Sequence, residues 1–221
     1  MASGENTQIS TPPPDFISGW AGGPALFPAL ASKVRFWQPF APTTEMDIVS
    51  KLCSGGQLLL AWSTGAHMVL KHHRALFPHY RHIVLIAPFL RFTDGLPQHI
   101  VQRMQKGITT NATATLAQFY RNCGISRTAE LMRQGAATDP VSLHKGLAYL
   151  LESKAQVNAP GPHDHICLVF PDKDRIVPAR AAEHVRRALP HAAVRHSDSG
   201  HFLPETAINA LVHEISGSSL L

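Results

Sequence analysis

Cysteine is scarce in this chain of 221 residues: there are three, Cys53, Cys123 and Cys167, far apart and odd in number. They can build neither a disulfide framework nor a cysteine-rich zinc site, so free thiols are expected. Long apolar runs are lacking too. Leu58 to Leu70 is interrupted by Ser63, Thr64, Gly65 and His67, and Trp20 to Leu30 by glycines and prolines. Neither reaches the roughly 20 residues of a membrane-spanning helix. The N-terminus shows no basic stretch followed by an apolar one, which makes the cytoplasm the expected compartment. Phosphate-binding and dinucleotide-binding glycine fingerprints are absent, and the basic residues are not interleaved with aromatics as in single-strand binders. His67, His72 and His73 lack the i, i+4 spacing and glutamate of a zinc helix, and His163-Asp164-His165 reads as a loop-to-strand junction. The expectation is a monomer with no cofactor, no metal, no nucleic acid and no membrane partner.

What is present suits one globular domain with a substantial core: 44% of residues are hydrophobic and 16% charged. The formal net charge of +5 is unevenly placed. Between residues 91 and 154 eight bases face four acids, whereas the rest of the chain carries twelve against eleven. That segment either steers an acidic partner by its summed field or is a solvated helical surface.

Residues 1 to 14 are polar and end in three prolines, and they are expected to form a disordered or extended leader. From Asp15 the pattern alternates. Short apolar runs at Phe16-Ile17, Val34 to Phe40, Gln57 to Trp62 and Ile83 to Phe89 read as strands. Pro24 to Ser32, a segment started by Thr43 or Thr44, and Thr64 to Tyr80 read as helices. Such alternation predicts a doubly wound, mostly parallel sheet. It stops between Phe92 and Val157, where only helix-like pieces occur: Gln98 to Lys106, Ala112 to Asn122, Ser126 to Gln134 and Pro140 to Ser153. Strands resume at Ile166 to Phe170 and Ala192 to His196, with helices at Ala179 to Leu189 and Glu205 to Ile215. The chain thus divides into a core of residues 15–91 and 158–221 and a helical cap of residues 92–157, which would close a pocket over the strand ends.

Ala61-Trp62-Ser63-Thr64-Gly65 lies where the third strand meets a helix. A nucleophilic serine on a strained strand-to-helix turn sits in G-x-S-x-G, and the only departure here is one methyl group, at Ala61. A serine hydroxyl needs a base, and the base needs an acid to fix its tautomer. Asp174 and His201 occupy loops after later strands, in the chain order Ser, Asp, His of α/β-hydrolases. Asp172 is the rival acid, and Asp198 reads as a loop residue. Backbone donors for an oxyanion are expected at Thr64, after the nucleophile, and at Trp20, in the loop after the first strand.

Four stretches, Phe16 to Ala21, Ala61 to Gly65, Asp174 to Pro178 and Ser199-Gly200-His201-Phe202, together resemble the BioH-type pimeloyl-acyl-carrier-protein methyl ester esterases of the α/β-hydrolase superfamily. Met104 to Phe119 and Gly146 to Leu150 are similar to that family's cap helices. The resemblance covers most of the chain from about residue 15. It departs from the family in Ala61, in Ser18-Gly19 where His-Gly is usual, and in a sheet shortened at its N-terminus. It implies a cofactor-free serine esterase that frees the carboxylate of pimeloyl methyl ester on acyl carrier protein for biotin synthesis. Docking of the carrier on Arg103, Lys106, Arg121, Arg127 and Arg133 is implied as well. A general short-chain carboxylesterase, a haloperoxidase or C–C hydrolase with the same triad, and a non-catalytic binding protein on this fold are the alternatives.

Overall fold

The computed structural model describes residues 12–40, 42–133, 139–159, 161–217 and 219–221. Most of the expected leader, residues 1–11, lies outside the described residues. Among the described residues six strands form one sheet: β1 (Asp15–Ile17), β2 (Arg35–Trp37), β3 (Gly56–Trp62), β4 (Tyr80–Ile86), β5 (Ile166–Pro171) and β6 (Ala193–Ser197). All neighbours are parallel, in the order β2-β1-β3-β4-β5-β6. The helices between them are α1 (Pro28–Ala31), α2 (Glu45–Leu52), α3 (Thr64–Lys71) and α4 (His73–Leu76). After β4 come α5 (Gln98–Asn122), α6 (Thr128–Arg133) and α7 (Pro140–Glu152), and finally α8 (Ala179–Ala188) and α9 (Glu205–Ser216).

Strand residues alternate between the two faces of the sheet, and each face has its own core. Phe16, Leu60, Trp62, Val84, Ile86 and Val169 point toward the side that holds α1, α9 and helices α5 to α7. Ile17, Leu59, Ala61, Ile83, Leu85 and Leu168 point toward α2, α3 and α4. A parallel sheet covered on both sides explains why β3 reads as an unbroken apolar run. No helix among the described residues is long and apolar enough to cross a membrane.

Several boundaries differ from the sequence expectation, each for a local reason. Strand β2 spans three residues instead of Val34 to Phe40, because Phe40 adopts φ 72 after Pro39, which has no N–H for the ladder. The helix expected from Thr64 to Tyr80 breaks at His72 (φ −105, ψ 23), and Pro78 then sits in a short 3-10 turn that leads into β4. Strand β4 accordingly begins at Tyr80 and stops at Ile86, where Ala87 turns to φ 49 ahead of Pro88. Helices α5 and α7 pack on one another above the carboxyl edge of the sheet. Non-helical Asn111 (φ −156, ψ 84) bends α5, and its Oδ1 accepts the Ala114 N–H at 2.9 Å as a cap for the second half. The two helical pieces foreseen on either side of residue 111 are those two halves. Thr44 opens α2 through a reciprocal capping box with Asp47.

Candidate active site

The carboxyl ends of β3, β5 and β6 bring three distant side chains together. Ser63 follows β3 directly. Its N–H donates to the Ile86 carbonyl (2.8 Å) and its own carbonyl accepts from His67 N–H (2.9 Å), so the residue is gripped from β4 and from α3. Between those two bonds its backbone sits at φ 55, ψ −113, a conformation that costs a non-glycine residue on the order of 1–3 kcal/mol. The neighbours that make the turn possible are small. A Cβ on Gly65 would lie 2.4 Å from the Ile17 carbonyl oxygen, and one on Gly19 would lie 3.0 Å from Ser63 Cβ. Ala61 is fully buried within β3 among Ile17, Leu59 and Leu85, and its methyl group is accommodated without displacing Ser63.

Ser63 Oγ lies 2.8 Å from His201 Nε2, and His201 Nδ1 lies 2.8 Å from Asp174 Oδ2. A carboxylate can only accept, so Nδ1 carries the proton and Nε2 is left as the acceptor for the Ser63 hydroxyl. Asp174 is itself fixed: its Oδ1 accepts the N–H groups of Ile176 (2.7 Å) and Val177 (2.8 Å). The His201 and Asp174 side chains are 0% and 3% exposed, which shields their hydrogen bond from competing water. The rival acid Asp172 and the loop residue Asp198 are occupied elsewhere. Asp172 pairs with His196 at 2.8 Å and Asp198 with Lys173 at 2.7 Å, both at the solvent surface.

Trp62 Nε1 donates to the His201 carbonyl at 2.8 Å, and its ring lies 5.2 Å from the imidazole. From the other side Phe202 N–H donates to the Cys123 carbonyl at the end of α5 (2.9 Å). The contact is so close that a Cβ on Gly200 would fall 2.7 Å from that same carbonyl oxygen. The loop that carries His201 is therefore braced between the elbow strand and α5.

The two backbone groups expected to receive an oxyanion adjoin one another. Thr64 N–H is the first of α3, where no residue of its own helix can accept from it. Trp20 N–H donates to Thr64 Oγ1 at a long 3.3 Å, so a substrate oxygen would have to take that donor from the hydroxyl. The Trp20 loop is tied to the helices above it: the Trp20 indole N–H donates to the Leu143 carbonyl (2.9 Å) and Tyr120 Oη to the Ala21 carbonyl (2.8 Å). Phe119 packs edge-on against Trp20 with ring centres 4.6 Å apart. The part played by Tyr120 has no signature in the sequence, because it depends on a contact across 99 residues.

The basic residues of the helical segment are used unequally. Arg103, Lys106 and Arg121 are exposed, and Arg121 donates to the Gln118 side chain at 2.8 Å. Arg127 turns inward and donates to the Leu26 carbonyl at 2.8 Å. The side chain of Arg133 lies outside what the structure describes. Among the described residues no group of three or more metal-binding side chains comes together.

His67, one of the three histidines that lack zinc-helix spacing, is the centre of a buried polar link. His67 Nδ1 donates to the Phe89 carbonyl (3.1 Å) and Nε2 accepts from Ser153 Oγ (2.8 Å). Burial pushes its pKa down to about 4, so the ring is neutral. Nearby, Glu45 accepts from Lys71, His72 and Tyr149 at 2.8 to 2.9 Å. Burial opposes its charge, yet hydrogen bonds from His72, Lys71 and Tyr149 outweigh that and hold its pKa at about 2. Together these contacts fasten α7 to α2 and α3.

No protein-family model matches the chain, and no curated relative matches it. Solved structures do. An esterase from Exiguobacterium antarcticum superposes with a TM-score of 0.71 at 14% identity, over 94% of this chain and 93% of that one. An α/β hydrolase enzyme from a Medee basin deep-sea metagenome library gives 0.69 at 15% identity, over 96% and 92%. A 2-hydroxy-6-oxo-6-phenylhexa-2,4-dienoate hydrolase from Rhodococcus gives 0.64 at 14% identity, over 94% and 91%. The chain has the α/β-hydrolase fold.

Proposed function

We propose that this protein is a serine hydrolase of carboxylic esters. The observation that carries this reading is the hydrogen-bonded line from Ser63 through His201 to Asp174, with Ser63 on a strained elbow. His201, oriented by Asp174, takes the Ser63 proton as Oγ attacks the ester carbonyl. The backbone N–H groups of Thr64 and Trp20 receive the oxyanion, the protonated His201 returns its proton to the departing alcohol, and water then hydrolyses the acyl-enzyme. No step calls for a cofactor.

The substrate we propose is the methyl ester of pimeloyl-acyl carrier protein, as in the BioH-type esterases. The net positive segment around α5 to α7 supports an acidic carrier, with Arg103, Lys106 and Arg121 offering exposed cations. A general short-chain carboxylesterase is the second reading. It is favoured by Arg127, whose guanidinium is already committed to the Leu26 carbonyl and is not presented to a carrier. Growth of a biotin auxotroph that lacks its methyl ester esterase separates the two. Rescue by the wild-type chain and not by Ser63→Ala is the expected result. Soluble expression without rescue, together with turnover of small esters, would assign the general esterase.

A further inference from the structure

A cavity of about 470 Å³ opens where α5 bends, between that helix and the loop that follows Asp174. Its walls are apolar, with Ile100, Met104, Phe119 and Ile176, and two cations, Arg103 and Arg175, stand among the lining residues. Arg103 and Arg175 are exposed, and neither has an acidic partner among the described residues. The other lining groups are apolar, small or neutral amides, so the cavity holds no carboxylate of its own. Two of its walls touch the candidate active site. Phe119 has its ring against Trp20, and Ile176 donates its N–H to Asp174 Oδ1. The bend makes the space: Gly107 and Thr115 face each other across Asn111, so closely that a Cβ on Gly107 would sit 2.5 Å from Thr115 Oγ1.

We infer that this cavity, beside the candidate active site, is a binding site for an apolar chain that ends in a carboxylate. The apolar walls supply the hydrophobic contact, and the two unpaired guanidiniums at the mouth supply charge complementarity for a terminal carboxylate. This binding does not depend on the ester-hydrolase reading and can be measured without turnover.

The test is calorimetric titration of the full-length Ser63→Ala chain with decanoate and, separately, with decanol. Decanoate binds more tightly by roughly 3- to 10-fold at low salt, the range expected for two solvent-exposed cations, and the difference shrinks as salt is added. In Arg103→Gln/Arg175→Gln the preference disappears while weak binding of both probes remains. Met104→Trp, which fills the cavity, weakens both probes alike. Because the two arginines are exposed, their replacement leaves the circular dichroism spectrum unchanged. Equal binding of the two probes, or a preference that survives the double substitution, overturns the inference. Labelling of Ser63 in the wild-type chain by a fluorophosphonate reports separately on the ester-hydrolase reading. A labelled serine with no decanoate preference defeats the cavity assignment alone. An unlabelled serine defeats that reading and leaves the cavity assignment to the titrations.

Discussion

Gly65 and Ala61 flank Ser63 symmetrically in sequence, and the structure predicts opposite consequences for exchanging them. In Gly65→Ala the new Cβ would lie 2.4 Å from the Ile17 carbonyl oxygen and 2.7 Å from that of Ser18. Both are backbone atoms at the end of β1, so no side chain can swing aside, and α3 must separate from β1 by most of an ångström. Overpacking of this kind costs about 1–3 kcal/mol, against which the better helix propensity of alanine returns at most about 1 kcal/mol. In Ala61→Gly a buried methyl is lost from an extended position, worth about 0.8 kcal/mol, and a strand glycine adds about 0.5–1 kcal/mol. The two variants are therefore similar in stability, and urea midpoints alone will not tell them apart. Reactivity will. The displaced β1 end carries the loop with Trp20, and a shift near 1 Å lowers reaction by on the order of 100-fold. Gly65→Ala should label with a fluorophosphonate that much more slowly than wild type, whereas Ala61→Gly should label within a factor of about three, the elbow being intact. Wild-type labelling in Gly65→Ala, or an equal loss in Ala61→Gly, would refute the claim that close backbone approach at Gly65 sets the nucleophile in place.

Asp174→Asn leaves the packing in place but no longer fixes the His201 tautomer, and labelling of Ser63 should fall by roughly 10⁴-fold, whereas Asp172→Asn, at an exposed ion pair, should change it little. Thr64→Val leaves the buried Trp20 N–H without its acceptor and should lower stability by about 1–3 kcal/mol in urea, while labelling should be kept because the probe's oxygen takes the same donor. His67 has a folded pKa of about 4 against an ordinary 6.5, so the unfolded chain binds the extra proton; stability is complete above pH 6.5 and falls as the pH drops toward 4, by up to about 3 kcal/mol. Urea midpoints of wild type and His67→Gln across that range should show the slope in wild type only. Glu45 acts at lower pH: its depressed pKa of about 2 contributes stability that is lost between about pH 4.5 and 2, and Glu45→Gln should shallow the acid limb there.

Most of the sheet was legible because its signals are local. Buried parallel strands read as apolar runs, and Thr44 announces α2 through a side chain that accepts from Asp47 N–H three residues on. Ser63, Asp174 and His201 were legible as a set because each follows a strand, and the structure brings all three within hydrogen-bond distance. The strand limits were harder to foresee, since Phe40 and Ala87 end β2 and β4 by turning to positive φ, which an aromatic ring or a methyl group gives no hint of. Long-range contacts left no trace either. Nothing around Arg127 indicates that it bonds to the Leu26 carbonyl, or that Tyr120 holds Ala21, because these partners are about a hundred residues apart. The charge of the helical segment was countable; its division between surface and interior was not.

The strained residues explain why the reacting groups gather at one edge of the sheet. Four non-glycine residues among those described have positive φ: Ala21, Phe40, Ser63 and Ala87. They follow β1, β2, β3 and β4 in that order, each within a few residues of the strand's carboxyl end. At roughly 1–2 kcal/mol apiece, such conformations persist only where their surroundings over-determine them. Ser63 is held by the Ile86 carbonyl and by His67 N–H, Ala87 by the Val169 carbonyl through its own N–H, and Ala21 by the Tyr120 hydroxyl on its carbonyl. Phe40 lies beneath Tyr149 of α7, with ring centres 5.2 Å apart. Two of these four holds, those from Tyr120 and Tyr149, come from the helical segment above the sheet. That segment therefore does more than cover the site: it stabilises the backbone turns on which Trp20 and its neighbours are presented to Ser63. Loosening α5 or α7 should accordingly slow Ser63 chemistry before it unfolds the sheet, whose strands have their own core on the opposite face.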